Sequence, residues 1–553
     1  MIAACWPMPA HAQSPAWVDF SNFEYQPTQP APKPGEITNP ILPGMYPDPS
    51  ILRVGGDFYL VNSTFAFYPG VPIFHSRDLI HWQQIGFVLS RPSQLKLDGL
   101  QVSQGIFAPT LRYHDGTFYM ITTLIGGIGN FYVTAKNPAG PWSDPIPLPE
   151  INGIDPSFFF DDDGSAWIVH NGPPPDNKPL YDGHRAIWLF RFNTVSGKVE
   201  GRGRILVNGG VDIAKKPAWI EGPHLFHHEG FYYLIAAEGG TSVNHSEVVF
   251  RSKSIDGPFI PYEHNPILTQ RDLDPNRTNP IADTGHADLV EDAAGRWWAV
   301  FLGVQPYAPD LYNTGRETFL LPVTWKDGWP IILPARQPVP GLVKVPPMPP
   351  SPHNSYNAPL VIDLLKQQLD PGSRPFEWES LRTPKSNWFH FDYTSGSISL
   401  AARPDDLTSR GNPSFIGRRQ QDADFSTSVV VHLPSISVDA GLAAFQNEHT
   451  WFFLGIATTA NQAPKLFIEQ GTGTQAEPRK QVLASLNLPS GTTQVTLKIT
   501  GQKGQISFWY QAGTAAWQPL VKDADATILS TAKAGGFVGT YLGPYARSQS
   551  AAH

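Results

Sequence analysis

The sequence predicts an all-β chain, a five-bladed β-propeller followed by a C-terminal β-sandwich, and three observations carry that prediction. The 553 residues include 56 Pro and 49 Gly, with 12% aromatic and only 16% charged residues. Such a profile belongs to many short strands joined by turns, not to helices or disorder. One strand–turn–strand pattern recurs five times, and it stops at the Pro-rich stretch 334–359, after which plain strand alternation resumes.

The five copies are MYPDPSILRVGGDFYLV (45–61), FAPTLRYHDGTFYMIT (107–122), GIDPSFFFDDDGSAWIV (153–169), IEGPHLFHHEGFYYLI (220–235) and GHADLVEDAAGRWWAVF (285–301). Pro49, Pro109, Pro156, Pro223 and Ala287 align, with spacings of 60, 47, 67 and 64 residues. Each copy reads as a hairpin: an apolar strand, a polar turn with Gly, and a strand rich in Phe, Tyr and Trp. Further strand-like runs at 71–86, 130–142, 186–199 and 247–259 supply a second hairpin, so that a copy makes a four-stranded blade and five copies make a propeller. The periods exceed those of common propeller repeats because the loops between strands are long. A sandwich with coincidental hairpins would not align five times.

The propeller is placed at 39–335, a Pro-rich linker at 336–359 and the sandwich at 360–548, with strands at SISLAAR (397–403), STSVVVHL (426–433), WFFLGIA (451–457) and QVTLKIT (494–500). The clearest helical run is LVIDLLKQQL (360–369). Residues 1–12 read as a signal-peptide remnant, because Ala10-His11-Ala12 precedes Gln13 like a signal-peptidase site, though no basic segment leads it. That reading makes the protein periplasmic or secreted; the alternative is a disordered cytosolic N-terminus. Residues 13–38, with QPTQPAPKPG at 26–35, read as a Pro-rich linker.

Several functions are set aside. The net charge of −8 is spread out and no Lys/Arg stripe marks a nucleic-acid partner. No window holds the roughly 18 apolar residues of a membrane span. Cys5 is the single cysteine, so the body of the chain has no disulfide, no CxxC metal site and no thiol nucleophile.

Three copies carry an acid at the turn that leads into the first strand: Asp48, Asp155 and Glu221. Inner strands of a propeller line a common axis, so acids at equivalent positions converge. Repulsion between them raises the pKa of at least one, leaving a proton donor beside an ionised base. Glycosidic bond hydrolysis needs that pair. Asp-Pro and Glu-Gly-Pro are also ordinary turn signals, but three in register favour chemistry. Asp161, Asp162 and Asp163 fall in a hairpin turn and read as solvated. His286 heads the fifth copy and could hold a metal or water on the axis, bond substrate, or serve as a buried His satisfied by a carbonyl. Arg316 could form a fork to sugar hydroxyls or to a catalytic carboxylate, or pair with Glu317 on the surface. Phe107 could stack on a sugar or fill core.

The strings NPILPGMYPDPSI, GIDPSFFFDDDG, WIEGPHLF, AEGGT, GHADLV and GRETFLLPVTWKDGW run in order over residues 39–335, and they resemble glycoside hydrolase family 43. The resemblance implies a five-bladed enzyme that hydrolyses β-xylosides or α-L-arabinofuranosides with inversion. It implies Asp48 as general base, Glu221 as general acid and Asp155 as the residue that tunes and orients the acid. His286 matches a histidine near the axis associated with calcium or water, and Arg316 an arginine that reaches the innermost sugar. The family often has Trp where this chain has Phe107. Residues 360–548, with PSFIGRRQQDADF and AGLAAFQNEHTWFF, look like the jelly-roll or concanavalin-like sandwich of xylosidase-type members, whose loop walls the pocket and favours exo-cleavage of xylo- or arabino-oligosaccharides. The alternatives are a non-catalytic sugar-binding propeller, which would be expected to lose an acid, and a related propeller glycosidase of other specificity. Invertase-type propellers are disfavoured because their NDPNG and RDP-like strings are absent.

Overall fold

The computed structural model describes residues 16–26, 33, 35–347, 375–392 and 394–549. The helical run at 360–369, the signal-peptide remnant and most of QPTQPAPKPG lie outside the described residues.

Five blades follow one another, each running outward from the axis, the first, third and fifth of four strands and the second and fourth of five. Their inner strands are Ser50–Val54, Thr110–His114, Ile154–Phe160, Glu221–His228 and Ala282–Glu291, and every blade is antiparallel. In the first two blades the inner strand begins just after the aligned position, and in the other three it starts before that position and runs through it. The ring is closed by the N-terminal segment. Glu36–Thr38 pairs with Leu342–Lys344, and the Asn39 side chain takes the place of a strand residue against the fifth blade. Its Oδ1 accepts from Leu320 N–H and its Nδ2 donates to Leu320 O, both at 2.9 Å. This tie holds first and last blades together without a shared strand.

The axis is filled by a ring of polar side chains, one from each blade. Arg112 donates two bonds to Asp288, at 2.9 and 3.0 Å, and Ser50 Oγ donates to the same carboxylate at 2.7 Å. Ser157 and Arg112 reach His224 Nδ1 at 3.0 and 3.2 Å. Burial drives the His224 pKa down to about 3, so the imidazole is neutral. Burial opposes the Asp288 charge, but Arg112, His224 and Ser50 together hold the carboxyl below its ordinary range. Four of these residues, Ser50, Ser157, His224 and Asp288, directly follow the aligned positions. The plug turns an open channel into a pocket with a floor.

The second domain packs a seven-stranded sheet on an eight-stranded one, with Phe20, Val431, Leu497 and Phe508 meeting Leu442, Phe452, Leu454 and Ile468 between them. The reading of 13–38 as a linker is corrected here. Trp17–Gln26 is a central strand of the seven-stranded sheet, paired with Ser397–Ala401 on one side and Phe425–His432 on the other. WVDFSNFEY alternates apolar and polar, the period-2 signal of a half-buried strand, and the prolines that follow obscure it. The described residues therefore run from the sandwich to the propeller and back. Leu342–Lys344 likewise gives the expected 336–359 linker a paired segment.

The outer face of the eight-stranded sheet lies on the propeller. The propeller strand Phe67–Tyr68 pairs with Glu379–Leu381 and becomes the last strand of that sheet. Phe65, Phe67 and Val102 share one buried cluster with Phe415, Phe445, Trp451 and Tyr541. Buried Arg419 pairs with Glu379 at 2.8 Å and donates to Met45 O at 2.7 Å. Arg382 bonds Leu100 O and pairs with Glu448. A continuous core with paired charges makes the two domains one body, which matters because the sandwich completes the pocket.

Candidate active site

Four blades carry a left-handed residue at the head of the inner strand: Asp48, Asp155, Gly222 and His286, with φ of 51, 54, 57 and 53°. In the third, fourth and fifth blades the strand ladder slips at this point. An extra residue there interrupts the side-chain alternation and re-aims it, as bulges at sheet ends do. Asp and His are among the types that tolerate a positive φ. Glu221 is not in strict register with the other acids: it precedes the kink, and Gly222 occupies the kink itself. Its structural equivalent in the second blade is Phe107. Gly222 has a second reason to lack a side chain, since a Cβ there would lie 2.7 Å from His286 Nε2.

The residues singled out in the sequence meet in one cavity of about 360 Å³, lined by Asp48, Phe107, Asp155, Glu221, His286 and Arg316. Arg316 is buried, not a surface ion pair with Glu317. Its Nη1 donates to Asp48 Oδ1 at 2.8 Å, while Glu317 turns away to accept from Gly44 N–H and Gln305. Ser63 Oγ donates to the other Asp48 oxygen, and His286 Nδ1 stands 3.7 Å from Oδ1. Burial alone would raise the Asp48 pKa, but the Arg316 guanidinium, then His286 and Ser63, hold it below the usual carboxylate range. Asp48 is therefore an anion with both oxygens engaged.

The other two acids go the opposite way. Burial first, then the charges of Glu221 and Asp48, hold Asp155 well above the ordinary range, although Gly222 N–H donates to it at 3.2 Å. Burial and the Asp48 charge push Glu221 up to about 7, against smaller pulls from Arg316, Thr241 and Arg185. Glu221 is the most accessible of the three. One cavity thus holds an ionised carboxylate and a protonated carboxyl, the division of labour that acid–base catalysis requires. Burial lowers the His286 pKa against the pull of the Asp48 charge, and Arg316 adds to the lowering.

The pocket wall was only partly readable beforehand. Phe107 packs edge-on to Phe65 and Phe537, with ring centroids 5.4 and 5.8 Å apart. Phe537 comes from the sandwich, in the loop after the short helix Thr531–Ala534, and stacks on Phe65 at 5.9 Å. Ser103 of the propeller anchors it by accepting from its N–H at 3.0 Å. Trp219 stands 40% exposed at the rim, under the Arg185 guanidinium, two residues before the acid. Its place in WIEGP was the available signal. Phe65 and Phe537 sit outside the repeat, where no signal existed.

Glu247 was also missed. Wholly buried on the third strand of the fourth blade, it accepts from Ala287 N–H at 2.9 Å and from the backbone of His286, so it braces the kink that aims His286. Burial pushes its pKa well above the usual range, making it a neutral acid at neutral pH. Glu247→Gln is therefore expected to keep wild-type kcat within about threefold, while Glu247→Ala lowers it by about tenfold or more through misplacement of the pocket. Steady-state kinetics on both variants checks this.

The sequence also raised calcium at His286. Calcium takes six to eight oxygen ligands. Among the described residues no group of three or more His, Cys, Asp or Glu side chains is placed to hold a metal. The nearby carboxylate, Asp48, is already spent on Arg316 and Ser63, and Arg112 supplies the positive charge on the axis below. The residues do not form a metal cage.

A closed propeller pocket in which carboxylates are pushed to opposite protonation states between aromatic walls is an arrangement that suits a glycoside hydrolase. The chain belongs to Glycosyl hydrolases family 43, which matches residues 37–330, and residues 368–553 match the Beta xylosidase C-terminal Concanavalin A-like domain. A xylosidase/arabinosidase of Butyrivibrio fibrisolvens is 37% identical over 92% of this chain and 95% of its own. A non-reducing end alpha-L-arabinofuranosidase of Bacteroides ovatus is 36% identical over 92% and 90%. Among solved structures, a family 43 protein retrieved from capybara gut metagenome superposes with a TM-score of 0.83 at 36% identity, covering 97% of this chain and 99% of that one.

Proposed function

We propose that this glycosidase is exo-acting and inverting, and that it releases xylose or arabinose from the ends of xylo- and arabino-oligosaccharides. The observation that carries the reading is the meeting of Asp48 and Glu221 in one pocket, with their pKa values pushed in opposite directions. Glu221 gives its proton to the glycosidic oxygen as the bond to the anomeric carbon breaks. Asp48 takes a proton from a water whose oxygen attacks that carbon from the other face, and solvent then returns both groups to their starting states. Asp155, whose charge would raise the Glu221 pKa further, is itself kept mostly protonated and tunes the acid. Both Asp48 oxygens accept hydrogen bonds, which suits a group that polarises water better than one that forms a covalent bond. Phe537 and Phe107 close the pocket on one side, which supports action on chain ends. The named relatives act on xylosides, arabinosides or both, and the two sugars can offer similar hydroxyl patterns. Aryl β-D-xyloside and aryl α-L-arabinofuranoside, assayed side by side, test the reading: at least one is cleaved, and cleavage of neither overturns it.

The pH profile follows from the same two groups. Asp48 must be ionised, so kcat/KM falls only as pH drops through its depressed pKa, below the ordinary Asp range. Glu221 must be protonated, so kcat/KM falls as pH rises through about 7. A bell with a low acid limb and an alkaline limb near neutrality is expected on xylobiose. A flat profile well into the alkaline range contradicts Glu221 as the acid.

A further inference from the structure

A second pocket opens beside the first, between the top loops of the fourth and fifth blades. Its volume is about 170 Å³, roughly half that of the catalytic cavity, and its lining includes Asp283, Asp310, Arg271, Arg277, Leu273 and Pro280. Asp283 is only 4% exposed, yet its carboxylate has no hydrogen-bond or ion-pair partner among the described residues. It has a positive φ of 55°, which Asp tolerates, and it lines the pocket. A nearly buried carboxylate without a protein partner is costly, and one that lines an open pocket is free to accept from a ligand's hydroxyls. Burial and the neighbouring Asp310 charge push its pKa up to about 7, which measures that cost.

The lining narrows the ligand. Two carboxylates alone would suit a metal cation, but Arg271 and Arg277 share the same walls and repel one. Arg277 is held by Gln270 and Ile281 O, and Arg271 lies 3.3 Å from Asn244 O. Proline and leucine surfaces beside acceptors and guanidinium donors fit a molecule with an apolar C–H face and hydroxyls that both give and take hydrogen bonds. The room is that of one sugar ring.

The pocket is coupled to the catalytic one. Val243 of its rim adjoins Thr241 and Ser242 of the catalytic wall. Asp283 and His286 lie on one strand, three residues and at most about 10 Å apart. His245 Nδ1 donates to Asp283 O at 2.9 Å, and its ring covers Gly285 between them. The geometry points to an accessory subsite: this pocket holds a further sugar residue of the oligosaccharide whose end lies in the catalytic cavity, with Asp283 and Asp310 accepting from its hydroxyls. The inference rests on the glycosidase reading above.

The test compares wild type, Asp283→Asn and Asp310→Ala on xylotetraose and on 4-nitrophenyl β-D-xyloside. For xylotetraose, KM rises about tenfold in Asp283→Asn, the loss of a hydrogen bond to a charged acceptor, and also rises in Asp310→Ala, with kcat retained. Aryl xyloside kinetics stay at wild-type values, and Asp283→Asn melts at or above the wild-type temperature because an unpaired buried carboxylate is gone. Unchanged xylotetraose KM in both variants, or an equal loss on both substrates, overturns the subsite. Asp310 is on an exposed loop, so its variant keeps the test valid if Asp283→Asn folds poorly. Failure of wild type to cleave either substrate sinks the glycosidase reading itself, which is a different result.

Discussion

Glu221→Gln is expected to lose roughly 10³-fold or more in kcat on xylobiose, the scale of a general acid's contribution, and far less on an aryl xyloside. The difference comes from the leaving group. A sugar hydroxyl leaves only if its oxygen is protonated as the bond breaks, whereas a nitrophenolate leaves as an anion. Gln keeps the shape of Glu221 and its contact with Thr241, so the pocket stays assembled. The alkaline limb of the pH profile should vanish with the acid. Stability should not fall, because burial already disfavours the Glu221 charge. The substrate-dependent loss is the signature, and an equal loss on both substrates would mean that Glu221 does something other than donate a proton.

Asp48→Asn is expected to fail differently. Activation of water is needed whatever the leaving group, so kcat should fall by roughly 10⁴-fold on aryl and natural substrates alike. The fold should also suffer. Arg316 is 6% exposed and its ion-pair partner is Asp48. Breaking one side of a buried pair typically costs about 3–5 kcal/mol. Thermal melting would therefore separate the two variants: Asp48→Asn melts well below wild type, Glu221→Gln does not. If Asp48→Asn retained stability, the Arg316 pair would not be what holds Asp48 ionised.

Much of this pocket is legible in the sequence, and the reasons are local. A turn residue, an apolar strand, a Gly turn and an aromatic strand repeat because each blade solves the same packing problem, so the repeat puts Asp48, Asp155, Glu221 and His286 at one end of one axis. The register is legible only to within one residue. Asp-Pro and Glu-Gly-Pro look alike as turn signals, and the bulge that re-aims the strand shows only in the backbone. Arg316 is visible in NTGRETFLL, but the choice of Asp48 over Glu317 as its partner depends on tertiary placement, since both Arg316 and Glu317 are buried. Phe537 and Glu247 escape a local reading altogether. One arrives from the other domain, more than 400 residues from Phe107, and the other works through the backbone of a neighbouring blade. Trp17–Gln26 shows the opposite failure: its alternation was present in the sequence, yet the prolines beside it suggested a linker.

The account turns on Asp48 acting on water and not on the sugar. Proton NMR of the first minutes of β-xyloside hydrolysis, before the free sugar equilibrates between anomers, tests this directly. If Asp48 serves as base and Glu221 as acid, water arrives on the face opposite the leaving group and the first product is α-xylose. Initial release of β-xylose would require a covalent sugar on the enzyme and would contradict the assignment.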